Sequence, residues 1–184
     1  MEIYDSIGVR GYEIVQCPGG YDDWQLLGNL DGTPRLATWK PVVVKRVRGS
    51  KREAFRPADL PYEGGSLILR RSAVDVLRDM LEAHGELLPL QDEGGVELYV
   101  LNLRAVDDAL DEPRSSVNYV GGTDRISRIK KPVFIPSAVE GVDIFKLRRK
   151  LSQIYFSDRF VARVKAAKLK GLNFTKVWSS DEPL

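Results

Sequence analysis

Residues 66–103 read SLILRRSAVDVLRDMLEAHGELLPLQDEGGVELYVLNL, and their pattern decides the fold class. Ser66–Leu69 is a short apolar run of strand type. Ser72 is placed to cap a helix running to about Ala83. In it Ala73, Val74, Val76, Leu77, Met80 and Leu81 recur at helical spacing and make one apolar face. Gly85 supplies the stop. Glu86–Gln91 and Val96–Leu103 then read as two strands joined by Asp92-Glu93-Gly94-Gly95, a linker with hairpin chemistry because glycine accepts positive φ.

A similar unit closes the chain. Gln153–Phe156 reads as a strand, and Ser157 caps a helix to about Lys168. Phe160, Val161, Val164, Ala167 and Leu169 face inward, Gly171 ends the helix, and Leu172–Trp178 is the next strand. Leu69, Ala73, Val74, Leu77 and Met80 precede Phe156, Phe160, Val161, Val164 and Ala167 by 87 positions. An internal duplication would give this offset; two ordinary strand–helix–strand units sharing hydrophobic spacing are the commoner origin. Between the units, the polar Asp107–Tyr119 segment with Pro113 reads as a loop. Arg125–Ile135 alternates, with a phase slip at Lys130-Lys131-Pro132, as in an edge or bulged strand. Val142–Leu147 is a further short strand. The first 65 residues are less legible: Val42–Val44 is strand-like, glycines mark turns at 19–20, 32 and 64–65, and Trp24 and Trp39 are expected to anchor a core.

The expected architecture is α+β: a single domain, residues 1–184, whose antiparallel-rich mixed sheet carries two main helices, Ser72–Ala83 and Ser157–Lys168. Leu77, Met80, Leu81, Tyr99, Leu101, Phe156, Phe160, Val164 and Phe174 should be buried.

The residue inventory argues against common catalytic chemistry. His84 is the single histidine and Cys17 the single cysteine, which removes disulfides and the usual triads and zinc sites. His84 falls at a helix C-terminus, where its charge would suit the dipole. No P-loop, Gly-x-Gly-x-x-Gly or Gly-x-Ser-x-Gly motif occurs. Asp107, Asp108, Asp111 and Glu112 are the candidate carboxylate pairs, in a loop where acids commonly serve solubility. No enzyme activity, metal or cofactor is expected. The opening MEIYDSIGVRG lacks the basic start and apolar run of a secretory signal, and no stretch is apolar enough to span a bilayer, so a reducing cytoplasm is expected.

Net charge is +2, but the charges are unevenly spread. Residues 146–170 hold nine basic residues and one acid, residues 40–56 seven and one, and residues 75–112 eleven acids and two basic residues. Such runs are usually solvated faces; the sharper reading is a dipolar surface that steers a charged macromolecule. A nucleic-acid role through Arg163, Lys165 and Lys168 is the alternative. Phe160 lies on that helix's apolar face, however, and the total charge is small for such a binder.

The runs GGSLILRRSAVDVLRDMLEAHGELLPL, VELYVLNLRAVDDALDEPRSSV and IYFSDRFVARVKAAKLKGLNFTKVW resemble a bacterial immunity-protein family of polymorphic toxin systems, formerly a domain of unknown function. The resemblance covers about Gly64 to Trp178, with residues 66–178 the best-matched part and residues 1–65 variable. It implies a non-catalytic role: binding and neutralising a cognate toxin encoded nearby. It transfers no site residue, because toxin-contacting positions vary with the toxin. Arg148, Arg149 and Lys150, between two predicted strands, are the expected partner-binding residues, since exposed loops often carry binding function. Reversing all three charges should weaken protection while leaving thermal stability unchanged.

Overall fold

Both strand–helix–strand units form, and each builds its own sheet. The structure is a computed structural model describing residues 1–181. The N-terminal third supplies β1 (Glu2–Gly8), β2 (Ile14–Gln16), α1 (Tyr21–Gly28) and β3 (Val43–Val47). The first unit is β4 (Ile68–Arg70), α2 (Arg71–His84) and β5 (Gly85–Asp92), continuing into β6 (Glu97–Leu103). Next come β7 (Ala105–Val106), β8 (Ser116–Tyr119), β9 (Ile126–Lys131), α3 (Pro136–Val139) and β10 (Ile144–Leu147). The second unit is β11 (Lys150–Ser157), α4 (Asp158–Ala166) and β12 (Leu172–Ser179).

The expected single sheet is corrected to two five-stranded sheets, ordered β12-β1-β11-β10-β7 and β2-β3-β5-β6-β4, plus a β8–β9 ribbon. Pairing is mostly antiparallel; β10–β7 and β3–β5 are parallel. The two units share a topology. β4 and β5 flank β6, antiparallel to both; β11 and β12 flank β1 in the same way. Adjacent termini make this possible: the Met1 amino group lies 3.1 Å from Ser180 Oγ, so β12–β1 stands where the β5–β6 hairpin stands in the other unit.

Period-two alternation sorts side chains onto the two faces of each sheet. Leu101, Leu103, Ile154 and Phe156 join the faces of α2 and α4 in a shared core with Leu69, Leu77, Leu81, Phe160 and Val164. Leu98 and Val100 turn to a second cluster with Leu27, Leu30 and Val44. Phe145 and Tyr155 turn to a third, where the Phe134 ring lies 5.5, 4.9 and 5.7 Å from Phe145, Tyr155 and Trp178. Of the expected core, Tyr99 and Phe174 are only half-buried, packed on the margin of the shared core. Met80 is buried but its counterpart Ala167 is exposed, so the 87-residue equivalence in burial ends at Leu77 and Val164.

Several local readings are corrected. Ser72 lies inside α2, and its Oγ donates to Asp59 instead of capping; Arg70 is the N-cap residue, with no side-chain capping bond. Ser157 does cap α4, accepting from Phe160 N at 3.2 Å. Trp39 is half-buried and donates from Nε1 to Pro89 O at 2.8 Å, whereas Trp24 is exposed and anchors no core. The segment read as a loop after Asp107 contains β8, paired with β9 across two register shifts. β9 ends before Pro132, which lacks the N–H a ladder needs. Phe134, beyond it, becomes the centre of the aromatic cluster.

Helix α4 stops before Gly171. Lys168 takes a left-handed conformation, φ 55°, and Leu169 N bonds Val164 O at 3.1 Å, closing the helix as a glycine commonly would. Gly171 is required for another reason: at φ 119°, an added Cβ would lie 2.2 Å from Leu60 O. Replacing Lys168 with glycine is therefore expected to stabilise the protein by about 1 kcal/mol, because the Cβ is strained in this region. Urea denaturation would show a raised midpoint; a lowered one would mean the Lys168 side chain has a role that outweighs the strain.

Candidate functional site

Leu147 pairs with Lys150, so Arg148–Arg149 is a two-residue turn linking β10 and β11. It projects the three basic residues toward the 107–112 loop and the β8–β9 ribbon, and each finds a partner. Arg148 pairs with Asp107, whose carboxylate raises the guanidinium pKa. Arg149 pairs with Glu112, donates from Nε to Asp124 O at 2.8 Å, and lies 5.4 Å from the Tyr119 ring centroid. Lys150 donates to Ser127 O at 2.7 Å; partial burial, then nearby Arg125, lowers its pKa.

Arg148 and Arg149 border a groove of about 810 Å³. Asp107, Asp108, Asp111, Glu112 and Asp124 line it, over apolar Ala109, Leu110, Ile126 and Leu147. The site is therefore of mixed charge, not the basic patch expected. The acids that suggested a carboxylate pair mostly serve structure. Asp107 and Glu112 hold the arginines, Tyr119 donates to Glu112, and Asp111 caps the 3-10 turn at 112–114 by accepting from Arg114 N.

The remainder of the 146–170 strip is likewise dispersed. Lys146 is fully buried, Arg159 pairs with Asp143 at 2.9 Å and Arg163 with Asp79 at 3.4 Å. Phe160 is fully buried, which removes it as a stacking platform. His84 ends α2, but its Nε2 accepts the Asp143 N–H at 3.0 Å, which requires the neutral ring; burial also lowers its pKa. Its role is thus to tie α2 to the start of β10, and the expected charge–dipole contact is corrected. The Cys17 thiol is pushed up to about 11 by burial and by Glu63 and Asp23, so little thiolate forms at neutral pH. Among the described residues no group of three or more His, Cys, Asp or Glu could hold a metal, and no helix is long and apolar enough to cross a membrane.

Sequence reasoning missed a buried ion network. Glu13 accepts from Arg70, from Arg46 at 3.2 Å and from Ala58 N at 3.1 Å, while Arg46 also holds Asp92 at 3.0 Å. No local motif marks it, because its members are gathered from four separate segments.

The molecule is a mixed α+β protein with a salt-bridged surface groove beside the β10–β11 turn. Residues 90–179 match the model of an immunity protein family, Imm11. The resemblance read from the sequence is thereby supported over this segment. No curated protein shows a significant match to the chain.

Proposed function

We propose that this protein is an immunity protein of the cytoplasm that binds and neutralises a cognate bacterial toxin by protein–protein contact, without catalysis. The observation that carries the reading is the Imm11 match over residues 90–179, a segment that contains every residue lining the Arg148–Arg149 groove. Physical chemistry supports it. Neutralisation needs a rigid surface with complementary charge rather than reacting groups. Ion pairs preorganise the turn, so little side-chain entropy is lost when a partner docks.

The test is co-expression with the toxin encoded by an adjacent gene, with protection read as survival. The contacts single out Arg148 as the better probe, because Arg149 is held by three groups and its reversal would disturb the turn itself. Arg148→Glu is expected to slow association and weaken protection with the melting temperature little changed, because an exposed ion pair adds little to stability. Unchanged protection would remove the turn from the interface. Failure of the wild-type protein to bind or protect against that toxin would remove the immunity reading itself.

A further inference from the structure

Helix α1 presents an unusual outer face. Only Leu27 of its eight residues is buried, while Tyr21 and Trp24 are 67% and 47% exposed. The two rings stack at 6.0 Å between centroids, inclined by 28°. Exposed, paired aromatics incur a solvation cost and are the side chains most enriched where a partner makes its strongest contacts.

The rings border a groove of about 520 Å³ between α1, β2 and the Tyr62–Glu63 segment. Its lining contains Glu63 and no lysine or arginine. One Glu63 oxygen accepts from Ser66 N at 2.9 Å and Gly65 N at 3.2 Å, whereas Oε1 is buried with no hydrogen-bond donor. Burial raises the Glu63 pKa; Lys146 attracts the carboxylate, but the Lys146 Nζ donates to Leu30 O at 3.3 Å. Asp22 and Asp23 add negative charge in the first turn of α1. Asp23 and Glu63 both act on Cys17 within the groove. The pocket thus offers two aromatic faces, an undersatisfied carboxylate and an acidic rim.

We infer that this groove is an anchor pocket for an arginine side chain of the partner protein, its guanidinium stacked on Trp24 and Tyr21 and hydrogen-bonded to Glu63. Arginine fits better than lysine because a planar guanidinium can stack on a ring and offer a donor fork to a carboxylate at once. The inference rests on the immunity reading for the identity of the partner, a toxin with a basic face. Tyr62 lines both this groove and a neighbouring crevice that reaches Lys150.

The pocket is tested on the full chain with N-acetyl-arginine amide, following the Trp24 indole by NMR, and with N-acetyl-citrulline amide as the uncharged isostere. Saturable shifts with the arginine probe are expected, about tenfold weaker with citrulline, and lost in Trp24→Ala. Because Trp24 is exposed, that variant should retain the wild-type melting temperature. Glu63→Gln, which keeps an acceptor for Gly65 and Ser66, should weaken binding similarly. No saturation, or equal binding of the two probes, would overturn the pocket whatever the toxin does. With the adjacent-gene toxin, Trp24→Ala should weaken binding about 30-fold, the scale of a hot-spot aromatic. Equal affinity of variant and wild type would overturn the pocket while leaving the immunity reading intact. If the toxin binds neither, the immunity reading fails, and the arginine probe alone decides the pocket.

Discussion

Replacing Glu13 with alanine is expected to destabilise the protein by about 3–5 kcal/mol, the scale for removing one partner of a buried ion pair. Glu13 is 1% exposed and is the shared acceptor for Arg46, Arg70 and the Ala58 N–H. Without it Arg46 keeps Asp92, but Arg70 is left with only the Ala58 carbonyl, and a buried N–H loses its acceptor. The loss should appear as a melting temperature lower by roughly 10 °C for a chain of this size. In urea, the midpoint should fall with an unchanged slope. Glu13→Gln should lose less, since an amide oxygen still accepts. A loss below about 1 kcal/mol for the alanine variant would mean the network is solvated and contributes as surface pairs do.

The second large effect concerns Lys146, on β10. Its side chain is fully buried, donating to Leu30 O at 3.3 Å, and burial lowers its pKa to about 8 against the attraction of Glu63 and Asp31. In the unfolded chain the amine titrates at its ordinary value near 10.5. Between pH 8 and 10.5 the unfolded state therefore binds more protons, and stability must rise with pH across this window. The contribution is fully present above the unfolded value and is lost as pH falls through the folded one. Its full size is about 3 kcal/mol. Lys146→Met, of similar shape, should be more stable than the wild type at pH 7, because no amine has to be charged inside the core. That advantage should shrink by about 3 kcal/mol as pH is raised to the unfolded value. Taking the difference between the two proteins cancels other titrating groups. A difference that stays constant with pH would show that Lys146 carries an ordinary pKa and is reached by water.

The elements read most securely from the sequence were those with local periodicity. The apolar face of residues 73–81 and the alternation of residues 96–103 have few competing solutions, so α2 and the β5–β6 hairpin form much as the pattern requires. Ser157, whose role as a cap depends only on its neighbours, also behaves as read. The candidate site was legible only as a position. A turn between two strands was visible, but its neutralisation by Asp107 and Glu112 was not, because those acids lie 41 and 37 residues away. Trp24 was misplaced for a related reason: aromatic character signals burial on average, and only the packing of α1, through Leu27 alone, shows that this ring is left outside.

The sequence by itself determined the α+β class, the two strand–helix–strand units and the lack of the common catalytic motifs, all properties of short windows or of composition. Tertiary structure alone decided that the strands form two five-stranded sheets and a ribbon instead of one sheet, that β1 enters the second unit between β11 and β12, and that Glu13 and Lys146 are buried charges. The physical reason is that strand pairing and charge compensation depend on which distant segments meet. Hydrophobic periodicity records which face of an element turns inward, and carries no record of its neighbour.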